Sequence, residues 1–186
     1  MENKSINYLI IRGALGIGKS TVSKKLANVL DARHISYDEL IDVHPYLLDH
    51  KEDGYISQKS FFIANNMALD RARKDLEKRR LVIFDGNFYW KSTLDDFVLK
   101  MHDLGYSGQI FTLTAPLDVC MGRDAAREKP YGPEAAKAVY KKANSFESGV
   151  EVDTTNINED DVVNYIIKNL KRGQNEASNC FAIKKR

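Results

Sequence analysis

The sequence is poor in cysteine and has no long apolar run. Its 186 residues include 2 cysteines, Cys120 and Cys180, whose spacing fits neither a zinc site nor a disulfide framework, so a reducing, cytoplasmic compartment is expected. The first apolar stretch, residues 8–11, is too short for a signal sequence, and no later run reaches the length of a membrane span. We therefore expect a soluble protein without a membrane partner.

An excess of charge of one sign is also absent. The chain has 28 basic and 26 acidic side chains, which leave a formal net charge of +2. Such a balance excludes the strong positive electrostatic potential that is typical of a dedicated nucleic-acid or membrane-surface binder. Nucleic acid is therefore expected only as a substrate. The basic clusters at residues 168–172 and 184–186 are interpreted as solvated chain segments, with nucleic-acid binding as the alternative.

Short apolar runs rich in β-branched residues alternate with longer segments of helical spacing. This alternation is typical of the α/β class, in which helices cover both faces of a parallel sheet. A content of 43% hydrophobic residues suffices for one core. We expect a single domain over residues 1–172 and a flexible tail over 173–186. The predicted strands are residues 8–11, 34–36, 81–84, 109–113 and 150–152.

A break in the helical pattern occurs late in the chain. Pro130 and Pro133 flank Tyr131 and Gly132, and prolines in this arrangement interrupt a helix. The pattern resumes over residues 134–143. We therefore expect a short mobile lid at about residues 124–140.

Residues 13–20 have the sequence GALGIGKS, which matches the pattern G-x-x-x-x-G-K-[ST] between an apolar strand and a helix. In this pattern glycines let backbone N–H groups point at phosphate oxygens, and the helix presents its positive end. The pattern predicts a nucleoside triphosphate, with Lys19 at the β- and γ-phosphates and Ser20 on Mg²⁺. A glycine-rich turn without a ligand is the alternative. The expected contacts are Gly13, Ala14, Leu15, Gly16, Ile17, Gly18, Lys19, Ser20 and Thr21.

Two carboxylates follow predicted strands and should reach the carboxyl edge of the sheet, where open α/β folds bind ligands. Asp85 follows the run 81–84 and is the expected partner of Mg²⁺; alternatively it only starts a turn with Gly86 and Asn87. Asp38 follows the strand ending at Ser36 and is the candidate general base that accepts a hydroxyl proton. Alternatively, Ser36 or Asp38 only caps the next helix.

Arg123 and Arg127 are four residues apart, so we expect both guanidinium groups on one face of one helix. Arginines placed in this way neutralise the charge that builds up during phosphoryl transfer. Their position just before the interrupted segment favours this role. An exposed pair on a solvated helix is the alternative.

Taken together, these motifs resemble the small P-loop kinases of the adenylate-kinase-like class. The resemblance covers roughly residues 6–170 and is strongest to the branch with polynucleotide 5′-kinases, chloramphenicol phosphotransferase-like enzymes, gluconate kinases and adenylylsulfate kinases. It depends on four segments: GALGIGKST, RRLVIFDGNFYW, TAPLDVCMGRDAAR and VEVDTTNINEDDVVNYII. It implies a three-layer P-loop NTPase fold in which a five-stranded parallel sheet has helices on both faces and a short lid.

The resemblance also implies roles for individual residues. Lys19 and Arg127 would contact the phosphates of ATP, with Mg²⁺ as the metal, and Arg123 would stack near the adenine. Asp38 would activate the acceptor hydroxyl, and Asp85 and Asn87 would bind substrate, with Asp85 a candidate for the metal as well. The loop at residues 154–156 would flank the nucleotide base.

The acceptor is not identified by the motifs. Polynucleotide kinases usually have an arginine shortly after the base, whereas here none occurs before Arg71, which weakens the case for a nearby phosphate on the acceptor. We expect a kinase, monomeric or homodimeric, that phosphorylates a hydroxyl of a small molecule, a nucleotide or a nucleic-acid 5′ end. The second hypothesis is a nucleotide-hydrolysing or nucleotide-sensing protein that acts through a protein partner.

Overall fold

The computed structural model describes residues 6–48 and 50–173. Within them the chain forms seven strands, seven α-helices and one short 3-10 helix, Pro45–Leu47. The strands are β1 (Tyr8–Arg12), β2 (Arg33–Ser36), β3 (Lys51–Glu52), β4 (Tyr55–Ile56), β5 (Val82–Gly86), β6 (Gly108–Thr114) and β7 (Val150–Asp153). The helices are α1 (Lys19–Val29), α2 (Tyr37–Asp42), α3 (Gln58–Glu77), α4 (Lys91–Asp103), α5 (Leu117–Ala125), α6 (Pro133–Ala143) and α7 (Glu159–Gly173).

Five strands form one parallel sheet in the order β2-β5-β1-β6-β7. Each run predicted as a strand overlaps one of them, so the α/β class and the five-stranded parallel sheet are confirmed. Every residue of the neighbouring strands β1 and β5 is buried, as is usual where helices cover both faces of a parallel sheet. The strands β3 and β4 pair with each other as a separate antiparallel hairpin.

Helices form a layer on each face of the sheet. The connection from β1 to β2 crosses the sheet in one direction, and the later connections between its strands cross it in the other. Because such crossovers are right-handed, the helix of the first connection and the helices of the later ones lie on opposite faces of the sheet. In agreement, α1 packs against β5 and α7, whereas α3 packs against β2, β5 and α4. The ends of β1, β2 and β5 therefore meet at the edge of the sheet where α1 and α2 begin.

The helical interruption predicted around the prolines is confirmed, because α5 ends at Ala125 and α6 begins at Pro133. The expected tail from residue 173 lies, apart from its first residue, outside the described residues. In the described part of the chain, no helix combines the length and the apolar character that a membrane crossing needs.

Candidate active site

The turn from β1 to α1 has the backbone shape of a phosphate loop. Gly16 and Gly18 have φ angles of +74° and +96°, in the left-handed region that favours glycine. A Cβ atom at Gly16 would collide with the carbonyl oxygen of Cys120 in α5. Glycine is therefore required at position 16, because the absence of a side chain lets the loop lie directly on α5.

The beginning of α1 is open to an anion. Gly18 supplies no side-chain cap, and the first turn of the helix contains no acidic residue. The first intrahelical hydrogen bond in this turn goes from the N–H of Val22 to the carbonyl of Gly18. The preceding N–H groups have no partner within the helix, and the helix dipole adds positive potential at this end.

Lys19 lies at the centre of the site. Its side chain is 6% exposed, and Nζ donates hydrogen bonds to the carbonyl oxygen of Ala14 at 2.8 Å and to Oδ1 of Asn87 at 2.9 Å. Burial lowers the pKa of this ammonium group, and the charges of Asp38 and Asp85 act in the opposite direction. Lys19 therefore contacts Asn87 directly, and the charges of Asp38 and Asp85 act on it.

Asp85, next to last in β5, is a buried carboxylate with one paired oxygen. Its Oδ1 lies 3.2 Å from Nε2 of His34, while Oδ2 is buried without a hydrogen-bond partner among the described residues. Burial raises the pKa of Asp85, but the interactions with His34 and with the Ser20 hydroxyl outweigh it, so the pKa lies below its usual value. Asp85 therefore stays ionised beside Ser20.

This arrangement fits a divalent cation. Mg²⁺ in nucleotide sites is held by one or two carboxylates together with substrate phosphates rather than by a full set of protein ligands. The orphaned Oδ2 of Asp85 and the hydroxyl of Ser20 provide such a partial set. Accordingly, no group of three or more His, Cys, Asp or Glu residues capable of holding a metal occurs in the described ranges.

Asp38 is in the first turn of α2, but it does not cap the helix. The cap is Ser36, whose hydroxyl accepts a hydrogen bond from the N–H of Glu39 at 3.4 Å. The Asp38 carboxylate makes no hydrogen bond with the described residues. Burial raises its pKa, and the charge of Lys19 partly offsets this effect. A carboxylate in this state is suited to accept a proton from a substrate.

A buried polar network fixes the position of α2. Tyr37, the residue before Asp38, is fully buried and donates its hydroxyl hydrogen to Oδ1 of Asn65 in α3 at 2.9 Å. The amide nitrogen of Asn65 in turn donates to the carbonyl of Thr93 and to Asp96, both in α4. Because α3 packs against the sheet and against α4, this network holds the backbone of Asp38 in place.

Arg123 connects α5 to the loop after β7. Its guanidinium group donates to Oγ1 of Thr154 at 3.1 Å and to the carbonyl oxygen of the same residue at 2.7 Å. Thr154 is 3% exposed, and its hydroxyl donates to the carbonyl of Thr114 at the end of β6. The arginine and the loop that the resemblance assigns to the nucleotide base are therefore direct neighbours.

The prediction that Arg123 and Arg127 share one helix is wrong. The helix α5 ends at Ala125, and Arg127 lies in the connection to α6. The reason is Asp124, which is 2% exposed: its Oδ2 accepts a hydrogen bond from the N–H of Gly132 at 3.0 Å, and its Oδ1 lies 3.6 Å from Nη1 of Arg127. The Asp124 carboxylate therefore holds the connection between α5 and α6 in a turn. The charge of Arg127 nevertheless acts on Lys19 and Asp38.

Sequence reasoning missed several residues of the site. His34 is two residues before Ser36 in a predicted strand. Because side chains alternate along a strand, His34 and Ser36 lie on the same face of the sheet, and this alternation could have identified His34 as a candidate. The contact of His34 with Asp85 also needs β2 beside β5, which the sequence does not specify. Phe88 was missed as well; it has a positive φ of 42°, and its ring contacts that of Tyr37 at a tilt of 55° with 4.4 Å between ring centres.

Comparisons with known proteins agree with this geometry. A family model described as "AAA domain" matches residues 9–148. A cytidylate kinase from Haloarcula marismortui is 29% identical over 172 residues, which cover 84% of this chain and 77% of that protein.

Solved structures show the same fold. A gluconokinase from Sinorhizobium meliloti 1021 matches with a TM-score of 0.71 and 14% identity over 94% of this chain and 97% of its own. A sugar kinase from Janibacter sp. HTCC2649 matches with a TM-score of 0.70 and 13% identity over 94% of this chain and 99% of its own. The kinase relatives and structural neighbours support a phosphotransferase. The chain therefore belongs to the AAA domain family and has the fold of the P-loop kinases, as its motifs predict.

Proposed function

We propose that the chain is an ATP- and Mg²⁺-dependent kinase that transfers the γ-phosphate to a hydroxyl group of a small molecule, a nucleotide or a nucleic-acid 5′ end. The observation that carries the proposal is the pair of carboxylates beside the phosphate-loop lysine. The charges of Asp38 and Asp85 both act on Lys19. Of these two carboxylates, Asp85 makes a hydrogen bond, with His34, whereas Asp38 makes none with the described residues. The names of the similar cytidylate kinase, gluconokinase and sugar kinase support a small-molecule acceptor.

In this proposal the donor binds at the beginning of α1. The unpaired N–H groups of the first turn bind phosphate oxygens, and Lys19 exchanges one of its present hydrogen bonds for a contact with the β- and γ-phosphates. Ser20 and Asp85 hold Mg²⁺, which supplies neutralisation of phosphate charge when it is bound. Arg123 and the Thr154 loop lie beside the base, and Arg127 contributes positive charge from the connection between α5 and α6.

The acceptor hydroxyl binds against Asp38. Its proton passes to the Asp38 carboxylate while its oxygen forms the new bond to the γ-phosphorus, and the bond between that phosphorus and the ADP oxygen breaks. Tyr37 keeps the carboxylate in position through Asn65. Asn87 positions Lys19 between donor and acceptor. A mobile lid, a single domain over residues 1–172, a cytoplasmic location and a monomeric or homodimeric state stay predictions.

The test is ADP release from ATP in the presence of nucleosides, nucleotides, sugars, amino-bearing polyols and 5′-hydroxyl oligonucleotides. We expect one class of acceptor to raise the rate well above the rate with water alone. Lys19→Met should remove this stimulation, whereas Lys24→Met, a change of an exposed lysine in the same helix, should leave it intact. A rate that ignores every acceptor but rises with a protein partner would contradict the kinase function and favour a nucleotide-driven switch.

A further inference from the structure

Asp124 is a buried carboxylate that the proposed mechanism does not use. It is the next to last residue of α5 and is 2% exposed. Its Oδ2 accepts a hydrogen bond from the N–H of Gly132 at 3.0 Å, whereas Oδ1 has no hydrogen-bond partner among the described residues. Nη1 of Arg127 lies 3.6 Å from this second oxygen. Asp124 therefore faces both the backbone at the start of α6 and a guanidinium group.

The turn between α5 and α6 accounts for one of these two oxygens. The hydrogen bond to Oδ2 holds Gly132, whose φ angle of +91° is in the region that favours glycine. An asparagine would accept the same hydrogen bond without the free-energy cost of burying a carboxylate. The charge of Asp124 is therefore explained by the arginine beside Oδ1 rather than by the shape of the connection.

The guanidinium group of Arg127 is held from two sides while its donors remain available. Its Cζ lies 5.5 Å from the centre of the Tyr131 ring, within the range of a cation–π contact. The separation of 3.6 Å from Asp124 is longer than that of a hydrogen bond between nitrogen and oxygen. Within residues 6–48 and 50–173 the side chain of Arg127 makes no hydrogen bond. Its N–H groups are therefore available to a phosphate.

The backbone brings this pair next to the phosphate loop. A Cβ atom at Gly16 would lie 3.1 Å from the backbone nitrogen of Asp124, so α5 touches the loop at this point. The N–H of Arg127 donates to the carbonyl oxygen of Asp124 at 3.1 Å, which keeps the two residues close. Burial is the main cause that lowers the pKa of Lys19, and the charge of Arg127 adds to this effect. The Arg127 side chain therefore lies within reach of an anion bound at the loop.

We propose that Asp124 is a positioning residue that holds the guanidinium group of Arg127 ready to bind the γ-phosphate of a triphosphate. The inference rests on the part of the proposed function that places ATP at the beginning of α1. An arginine that is ordered before its ligand arrives loses less side-chain entropy on binding, and this difference changes affinity by about two- to tenfold. Asp124 orients Arg127 without occupying its donors, so the phosphate does not have to break a hydrogen bond first.

The experiment separates the charge of Asp124 from its part in the turn. Asp124→Asn keeps an oxygen for the N–H of Gly132 and removes the charge beside Arg127. Calorimetry gives the Kd of ADP and of the β,γ-imido analogue of ATP, both with Mg²⁺. We expect the preference of the unmodified chain for the triphosphate over the diphosphate to fall about fivefold in Asp124→Asn. In Arg127→Met it should fall about tenfold or more, because a charge-assisted contact with the γ-phosphate is lost.

The double variant distinguishes positioning from a merely structural role. If Asp124 acts through Arg127, Asp124→Asn should lower the preference for the triphosphate in the unmodified chain and leave it unchanged in the background of Arg127→Met. An equal loss in both backgrounds, or no loss in either, would overturn the inference. Asp118→Asn, a change of an exposed carboxylate in the first turn of the same helix, is the matched control and should leave the preference unchanged.

The binding experiment needs no acceptor, so its outcome is independent of phosphoryl transfer. If the preference for the triphosphate does not depend on Asp124, the inference is overturned, whereas stimulation of ADP release by an acceptor still supports the kinase. If no acceptor stimulates ADP release, the kinase function is contradicted, whereas a preference that depends on Asp124 through Arg127 still supports the inference. An unmodified chain that binds neither nucleotide would overturn both.

Discussion

The imidazole of His34 lies 3.2 Å from one oxygen of Asp85, and the other oxygen of that carboxylate has no partner among the described residues. One residue is in β2 and the other in the neighbouring strand β5. The contact fixes the orientation of the carboxylate and stabilises its charged form, so the free oxygen is held ready for a cation beside Ser20. Groups that orient a metal-binding carboxylate in this way strongly affect metal affinity.

Replacing His34 should therefore weaken magnesium binding. In His34→Ala, the Asp85 carboxylate loses its partner and part of the stabilisation of its charge, so the Mg²⁺ concentration for half-maximal ATP turnover should rise about tenfold. The measurement is a magnesium titration at saturating ATP. His102→Ala, at an exposed position in α4, serves as the control. An unchanged magnesium requirement would show that Asp85 acts without His34.

Asp38→Asn should remove the proposed general base and leave the proposed ATP site intact. General-base catalysis contributes about 10²-fold or more, so we expect kcat to fall by at least that factor while the Kd for ATP stays the same. Asparagine keeps the shape of the side chain, and the helix cap at Ser36 does not depend on it. A variant with normal kcat would assign Asp38 a structural role only.

The pH dependence of kcat should report on the same carboxylate. Burial raises the pKa of Asp38, so the protonated form, which cannot accept the proton of the acceptor, persists to higher pH than for an exposed aspartate. Consequently kcat should rise as the pH increases through this raised pKa. The rise should be absent in Asp38→Asn, which has no titrating group there. If the pH profile of kcat is the same in both proteins, the rise belongs to another titrating group.

Gly16→Ala should disrupt the phosphate loop. The added methyl group would meet the carbonyl oxygen of Cys120, and the residue has a φ angle of +74°. We expect loss of ATP binding in calorimetry and a loss of unfolding free energy of about 1–3 kcal/mol, the range for residues held in unfavourable backbone conformations. Gly122→Ala, within α5 and without a neighbour near the added methyl, should be neutral or slightly stabilising. Normal ATP binding by Gly16→Ala would contradict the role given to this turn.

Arg12 should be important for stability because its charge is buried without a carboxylate partner among the described residues. Its Nη2 donates to the carbonyl oxygen of Ala143 at 2.5 Å, its Cζ lies 4.1 Å from the ring centre of Phe146, and burial lowers its pKa to about 10. In Arg12→Met that buried carbonyl loses its donor, so the free energy of unfolding should fall by about 2–3 kcal/mol in urea denaturation.

The matched control for Arg12 is Arg73→Met. Arg73 is exposed and pairs with Asp70 on the surface of α3, and such pairs contribute about 0–1 kcal/mol. The two variants should therefore differ clearly in their denaturation midpoints. Equal stability would mean that the contact of Arg12 with α6 contributes nothing to folding.

Local patterns in the sequence determined the helices and strands of this protein and the turn proposed to bind the phosphate donor. The motif of Gly13 to Ser20 fixes a tight turn followed by a helix end, and the apolar runs fix the strands, because turn geometry and side-chain periodicity depend on residues close together in the chain. The positions of Lys19, Asp38 and Asp85 at one sheet edge follow from the same patterns.

Other features depend on contacts between distant segments. The pairing of His34 with Asp85 joins two strands that are 51 residues apart, and the end of α5 before Arg127 depends on the burial of Asp124, so the tertiary structure decided both. The order of the strands and the burial of Asp124 selected these arrangements, since an ionised or polar group removed from water must find its partner in the assembled fold.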